Sequence, residues 1–283
     1  MNWRLKIASK VILSRFGVPY DRWRRLGFFR LGQMDRPDYA LKIFGLHQRR
    51  AFPDGRLNGM TVLEIGPGDS LASAVVARTH GAAETLLVDA GTFASRDVTL
   101  YRAIAGALTE AGLDAPALED AATLEEVLAR CSARYLTDGV QSFAALADGS
   151  VDFIWSHSVL EHIPVNELPL LMHEMRRVLK PGGRMSHNID FQDHLGHALN
   201  NLRFSEARWE APLMRDAGFY TNRVRALTMH AMMREAGFDI IEENFGRWSA
   251  LPTPHAALDA QFRILDEAEL LIRTSHVMAQ GPA

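Results

Sequence analysis

The sequence predicts an α/β fold: a doubly wound, mainly parallel sheet of seven strands with helices on both faces. Three observations predict it. Short apolar runs of strand length alternate with amphipathic helical stretches from Thr61 to Met278, the pattern of a parallel sheet covered on both sides. The first run, Thr61–Ile65, ends in the glycine-bearing turn Gly66-Pro67-Gly68-Asp69-Ser70. The second, Thr85–Val88, ends on a carboxylate, Asp89, about twenty residues beyond that turn, where an acid can accept hydrogen bonds from both hydroxyls of a ribose.

The elements follow in order. After the turn, Leu71–Arg78 reads as a helix, and Thr85–Val88 as the second strand. Residues 98–130 are helix-rich, with Leu100, Ile104 and Leu108 at helical spacing and a second run from Ala121 to Arg130. A short strand, Ala133–Leu136, leads into Thr137-Asp138-Gly139, and the turn Asp148-Gly149-Ser150 introduces a buried strand, Val151–Trp155. The helix Val165–Leu179 is stopped by Lys180-Pro181-Gly182-Gly183 before a strand at Arg184–Ile189. Polar and aromatic residues from Asp190 to Arg223 read as an insertion. A helix, Val224–Ala236, then stops at Gly237, and a strand, Phe238–Glu243, begins at once. A helix around Ala256–Leu265 precedes the last strand, Leu270–Met278. The expected organisation is a basic helical extension or lid at 1–50, followed by one sheet domain at 51–283 with an acceptor-side insertion at 190–223.

Composition narrows the class. The chain has 283 residues, 47% hydrophobic and 23% charged, with a net charge of −3, which suits a globular domain with a sizeable core. The single Cys131 excludes an intramolecular disulfide and points to a reducing compartment. No run is long enough to span a membrane, and Arg4, Lys6, Lys10 and Arg15 interrupt any signal-like apolar core. A cytoplasmic location is expected. Charge is uneven: residues 1–50 carry twelve Lys and Arg against three Asp. Trp3, Phe16, Tyr20, Trp23, Phe28, Phe29 and Phe44 lie among them. Such a segment suits a lid docked on an acidic body, an anionic membrane surface or a phosphate-bearing acceptor.

The turn itself selects a ligand class. Gly66 and Gly68 let the backbone turn tightly and approach a ligand closely. A dinucleotide site would carry a third glycine at the Gly-x-Gly-x-x-Gly spacing and would avoid carboxylates beside the pyrophosphate. Here Glu64 and Asp69 flank the turn, so a cationic ligand fits better and a nicotinamide dehydrogenase is disfavoured. Glu64-Ile65-Gly66-Pro67-Gly68 resembles the first motif of the class I S-adenosylmethionine-dependent methyltransferases. The resemblance implies a Rossmann-like fold, with S-adenosylmethionine as cofactor. It puts Glu64 near the methionine end, Gly66 and Gly68 under the ligand and Asp89 on the ribose, while Ser70 departs from a third small residue. Asp138 lies where this fold places an acid near the adenine amino group; an ordinary turn aspartate is the other reading.

Two further runs carry the resemblance. Asp152-Phe-Ile-Trp-Ser-His-Ser-Val-Leu-Glu-His-Ile-Pro164 is similar to the fourth-strand motif of type 11-like members, and Leu179-Lys-Pro-Gly-Gly183 precedes strand five. The strand end Ser156-His157-Ser158 falls at the sheet's carboxyl edge, where ligands bind in open α/β sheets. Ser156 is a candidate for cofactor contact and His157 for lining the active site. Glu161 and His162 read rather as orienting or capping groups. At the end of strand five, His187-Asn-Ile-Asp190-Phe-Gln-Asp193-His194 admits three readings. His194, alone or with Asp190, is a general base; Asp190 and Asp193 hold a hard metal ion; or the run anchors a loop.

The segment Val18–Gly27 and residues 187–223 look like a bacterial methyltransferase group associated with surface-polysaccharide assembly. That resemblance implies O-methylation of a sugar hydroxyl in a glycan or its precursor. Asn200, Asn201, Arg203, Trp209 and Phe219–Arg223 are then expected to form a sugar-compatible lid, and residues 1–50 to touch an anionic membrane surface peripherally. A small-metabolite or lipid methyltransferase and a non-catalytic cofactor-binding module remain alternatives. The Asn-Pro-Pro-Tyr-type motif of amino-methylating enzymes is absent, with Ser156-His157-Ser158 in its place, and no nucleic-acid acceptor is expected.

Overall fold

The computed structural model describes residues 3–14 and 36–282. The break at Gly17–Pro19, the aromatic residues from Phe16 to Phe29 and the segment Val18–Gly27 lie outside the described residues. Seven strands form one sheet: β1 (Thr61–Ile65), β2 (Glu84–Val88), β3 (Ala133–Leu136), β4 (Val151–His157), β5 (Leu179–Asp190), β6 (Asp239–Arg247) and β7 (Ile272–Gln280). Their order is β3-β2-β1-β4-β5-β7-β6. Neighbours from β3 to β5 pair in parallel, while β7 runs antiparallel to both β5 and β6.

Successive strand side chains point to opposite faces, and both faces are covered. Val62, Leu87, Phe153 and Trp155 lie under the helices Pro37–Ala51, Ala72–Thr79, Val98–Glu110 and Leu124–Arg130. Leu63, Ile65, Leu86, Val88, Ile154 and Met185 lie under Leu168–Val178 and Ala226–Glu235. This two-sided burial is why the central strands read as continuous apolar runs rather than alternating ones. The helix Pro37–Ala51 opens with Pro37 in its first turn, where a missing N–H costs no hydrogen bond. It buries Ala40, Phe44, His47 and Ala51 on one stripe. The basic segment 1–50 thus ends in a helix that forms one wall of the core.

Several elements differ from their sequence expectation for identifiable reasons. Lys180-Pro181-Gly182-Gly183 lies inside β5, because Leu179 already pairs with Val151 and the register then shifts before Phe153 meets Arg184. A bulge of this kind absorbs the Pro-Gly-Gly run without ending the pairing. The preceding helix starts at Leu168, since Pro164–Glu167 close a turn through Glu167 N–H donating to Pro164 O at 2.8 Å. The stretch Ala256–Leu265 does not form one helix. It breaks into a 3-10 turn at His255–Ala257 and short helices at Ala260–Arg263 and Glu267–Leu270. Asp259 opens one of these by accepting from Gln261 N–H. The last strand consequently begins at Ile272.

The insertion 190–223 has its own small core. Leu195, Trp209, Phe219 and Tyr220 pack together, and Trp3 and Ile7 of the helix Trp3–Ser14 pack against them. Trp3 meets Phe204 edge-on, with ring centroids 6.0 Å apart. One tie between the start of the insertion and the sheet is Arg225, 4% exposed. Its guanidinium donates to Phe191 O at 3.0 Å, just past β5, and to Ile272 O at 2.5 Å, at the start of β7. It also stands over the Phe191 ring at 5.2 Å. Burial pulls its pKa down to about 10, so it remains a cation at neutral pH. Arg225→Met keeps the volume but orphans these carbonyls, and a hydrogen bond to a charged group contributes about 1.5–3 kcal/mol. The expected loss is about 3 kcal/mol, read as a lower urea midpoint at unchanged slope; an unchanged midpoint would show that the strand ends hold without the arginine.

Candidate active site

At the carboxyl end of β1 the chain makes the predicted turn. Gly66 has φ +70° and Gly68 φ +65°, the left-handed region that side chains disfavour. A Cβ on Gly66 would lie 2.5 Å from Cγ2 of Val159, so the turn sits directly on the loop after β4. Asp89 follows β2, and both its oxygens are aimed by backbone donors. Gly68 N–H donates to Oδ2 at 2.9 Å and Ala90 N–H to Oδ1 at 2.8 Å. Each oxygen keeps accepting capacity for a ligand diol. Burial raises the Asp89 pKa against the pull of those two donors. Gly139 N–H donates to Asp89 O at 2.8 Å, which sets the exposed Asp138 beside the Asp89–Ala90 loop.

Glu64 is 3% exposed and accepts a hydrogen bond from the Ser73 hydroxyl. Burial pushes its pKa up to about 8, with Asp89 adding to the rise and Ser73 opposing it. A buried acid of this kind calls for a cation. The residues therefore fit S-adenosylmethionine: a cradle that a Cβ would fill, a diol-binding carboxylate, and acids where a sulfonium and an ammonium would lie. Ser70, in place of a third glycine, is fully buried and accepts from Ala72 N–H at 3.2 Å.

Three histidines, His47, His157 and His276, meet at the sheet edge, and a fourth, His187, lies on the opposite face of β5. His47, from the helix Pro37–Ala51, shares hydrogen bonds with His157 at 3.1 Å and with the Ser186 hydroxyl at 2.7 Å. Ser186 also pairs with His276 at 3.0 Å, and His187 pairs with the Ser156 hydroxyl at 2.8 Å. Burial lowers all four, His157 to about 4, His276 to about 4 and His187 to about 3, while His47 falls well below its usual value. They are neutral donors and acceptors at pH 7. Ser156, expected on the cofactor, is fully buried with its hydroxyl committed to His187. His157 stands at the edge as expected. His47 and His276 were not singled out in the sequence, although the apolar i, i+4, i+7 stripe that contains His47 marks it as inward-facing. Ser158, next along, has φ +55°, a strained backbone that turns Val159 onto Gly66.

The third constellation gathers beyond β4 and β5. Glu161 is 3% exposed; its Oε1 accepts from Asp190 N–H at 3.2 Å and its Oε2 is buried without a partner. Burial, with Asp190 nearby, holds its pKa well above the usual range. The His162 and His194 rings stand edge-on, centroids 4.7 Å apart. Asp190 accepts through Oδ1 from the backbone and side chain of Gln192 at 2.9 and 3.0 Å. Asp193, one of the two residues of the possible metal pair, has its carboxylate in a loop hydrogen-bond network. It is 1% exposed, and its oxygens accept from Leu195 N–H, Gly196 N–H, Asn200 N–H and the Asn200 amide. Glu161, read from sequence as an orienting group, is the acid that converges with the histidines.

The expected sugar-binding lid is largely internal. Trp209 is fully buried and donates to Thr221 O at 2.7 Å. Asn201 donates to the Thr221 hydroxyl, Asn200 is held by Asp193, and Asn222 donates to Leu160 O and Ile163 O. Arg223 donates to Phe204 O at 2.6 Å. These groups hold the insertion over the loop after β4 instead of presenting free faces to a sugar.

The family described as a methyltransferase domain matches residues 38–243, while no curated protein matches the sequence. Among solved structures, phosphoethanolamine N-methyltransferase 2 of Haemonchus contortus, in complex with S-adenosyl-L-methionine, is similar over 94% of this chain and 61% of that one, with 16% identity and a TM-score of 0.51. An S-adenosylmethionine-dependent methyltransferase from Mesorhizobium loti aligns over 82% and 95% of the two chains at 17% identity and TM-score 0.46. Another from Methanosarcina mazei aligns over 80% and 93% at 15% identity and TM-score 0.46. The family match runs from the core-wall helix to β6 and takes in the turn, Asp89 and the edge of β4 and β5. The chain therefore belongs to the methyltransferase-domain family and is an S-adenosylmethionine-dependent methyltransferase.

Proposed function

We propose that the acceptor is a hydroxyl, a sugar hydroxyl of a glycan or glycan precursor being the class indicated by the sequence resemblance, and that it binds over the carboxyl ends of β4 and β5. The observation that carries this reading is the continuous path from cofactor turn to ionisable edge. Gly66 packs on Val159; two residues on, Glu161 accepts from Asp190 N–H; His162 and His194 stand beside it. S-adenosylmethionine supplies a methyl group already activated as a sulfonium, so alignment of donor and acceptor provides much of the rate. A hydroxyl of high pKa still needs a base. Asp190 and His194 take the proton as the new C–O bond forms and the S–CH3 bond breaks. His157, neutral at working pH, lines the site and orients rather than transfers protons.

The same reading places the enzyme in the cytoplasm, with basic residues 1–50 meeting an anionic acceptor or membrane surface. Leu5 of the helix Trp3–Ser14 is 62% exposed beside Arg4. No helix among the described residues is long and apolar enough to cross a membrane.

Calorimetric titration tests the cofactor half. Asp89→Ala removes two hydrogen bonds to a charged acceptor and is expected to weaken S-adenosylmethionine binding by about 2 kcal/mol, roughly thirtyfold; equal affinity would take Asp89 off the ribose. Glu64 gives a pH signature. Its pKa stands raised to about 8 in the free protein, so a cationic ligand must displace its proton below that pH, and affinity should increase as pH rises from 6.5 towards 8. The cofactor's own amino group titrates near there, so the informative quantity is the difference from Glu64→Gln, whose curve should be flatter. Superimposable curves would remove Glu64 from the cationic end. For the acceptor half, S-adenosylhomocysteine release is followed across a panel of sugar, metabolite and lipid hydroxyls. Asp190→Asn and His194→Ala should lower kcat by about 10²–10⁴ without changing cofactor affinity; undiminished turnover would refute the base assignment.

A further inference from the structure

The cluster beyond β4 and β5 has features that a proton-transfer role does not use. Glu161, His162 and His194 each offer one ligand atom, and the three atoms lie within 4.8 Å of one another. Two of the three side chains are pre-oriented. His162 Nδ1 lies 2.9 Å from Tyr220 O. A carbonyl oxygen only accepts, so Nδ1 carries the hydrogen and the lone pair is on Nε2. This arrangement, one imidazole nitrogen donating to a backbone carbonyl, is what fixes metal-ligating histidines in the required tautomer. Glu161 is held likewise: Asp190 N–H occupies Oε1, and Oε2 is buried with no partner. An unpartnered buried carboxylate oxygen costs free energy unless something compensates it.

We propose that Glu161, His162 and His194 bind a divalent transition-metal cation of the zinc class. Two imidazole nitrogens and one carboxylate oxygen suit Zn²⁺, Co²⁺, Mn²⁺ or Fe²⁺ better than the all-oxygen preference of Mg²⁺ or Ca²⁺. Bonds of about 2.1 Å to a tetrahedral ion hold ligand atoms about 3.4 Å apart. Binding therefore draws the three atoms together by up to roughly 1.4 Å, within reach of small rotations of the solvent-accessible His194. Three protein ligands leave a coordination position open, as in catalytic sites. Val159, two residues before Glu161, packs on Gly66 of the turn after β1. This deepens the proposed function: an ion there would lower the pKa of an acceptor hydroxyl, so that Asp190 alone would serve as base and His194 would be a ligand in place of the base role given above. It rests on the hydroxyl-methylation reading for its role, but not for its existence.

Chelator-stripped full-length protein, without acceptor, is titrated with Co²⁺ and followed by the visible d–d bands of the bound ion and by calorimetry. One equivalent should bind, and Zn²⁺ should displace it. Glu161→Gln still accepts from Asp190 N–H through its amide oxygen but loses the anionic oxygen; it and His194→Ala should each weaken Co²⁺ binding by at least about tenfold. His173→Ala, on the exposed face of the helix Leu168–Val178, should bind as the parent does. If the parent protein takes up no stoichiometric Co²⁺, or if the Glu161 and His194 variants bind it unchanged, the site does not exist, and the methyl-transfer reading survives with His194 as base. Stoichiometric binding with ligand-dependent loss supports the site even if no hydroxyl acceptor is found.

Discussion

Because β1 lies between β2 and β4, the chain leaves β1 towards one edge of the sheet and returns to β4 on the other side, and the two crossovers lie on opposite faces. At such a reversal the crossovers diverge from the carboxyl ends of the two central strands, which is where ligands bind in open α/β sheets. Every residue assigned to the cofactor depends on that constraint. Glu64 and the Gly66 turn come from β1, Asp89 from the neighbouring β2, and His157 and Val159 from β4. The antiparallel β7 extends the constraint sideways. It pairs with β5 all the way to Asp190, opposite Thr274, so the end of β5 is held level with the end of β4 and Asp190 reaches Glu161.

The interior at the carboxyl ends of the strands holds many titratable groups, and burial disfavours the charged form of most of them. Four histidines have pKa values pushed far below neutrality, and Glu64 and Glu161 have theirs pushed up. The signs are those of desolvation, which always disfavours the charged form. For a site that accepts a cation, the combination is coherent. Imidazolium rings beside a sulfonium would oppose binding, whereas neutral rings linked through Ser156 and Ser186 stiffen the sheet edge without adding positive charge. Burial disfavours the ionised form of both acids, and an arriving cation favours it. Arg225 is the exception, a buried cation held by backbone carbonyls at the outer rim.

What was legible in the sequence is what is local in the chain. The Gly66 turn and the acid after β2 are fixed by spacing within one strand–helix–strand unit, and Glu64, Gly66, Gly68 and Asp89 all fall where that spacing put them. The order of strands and helices was likewise legible, because buried parallel strands and amphipathic helices have different lengths and periods. Convergence between distant segments was not. His47 and His276 are separated by most of the chain, and Glu161 and His194 come from two different loops; only the register of β4, β5 and β7 brings each set together. Composition misled in the insertion. Asn200, Asn201, Asn222 and Trp209 have the chemistry of sugar contacts, but a loop of that length also needs partners for its own backbone groups, and these side chains are spent on that. Asp193, for which a metal ligand and a loop anchor were both open readings, likewise accepts from backbone N–H groups of its own loop.

Glu64 also bears on what leaves the site. In the proposed transfer the charge next to it disappears when the sulfonium becomes a thioether, and Glu64 is left facing only the ammonium. A carboxylate buried to 3% exposure with one positive partner fewer is returned towards the protonated state that burial already favours. In that proposal its attraction for the bound product would fall at the step where methyl transfer is complete, while contacts of Asp89 and the glycine turn with the ribose would be the same before and after. With Glu64 at the sulfonium as proposed, part of the discrimination between substrate and product forms of the cofactor falls to this acid at the end of β1. A permanently ionised acid at that position would hold the spent cofactor more tightly, and a neutral amide would fail to distinguish the two. The desolvation that makes Glu64 costly to the apo fold is thus the same property that lets it respond to the charge lost in the reaction.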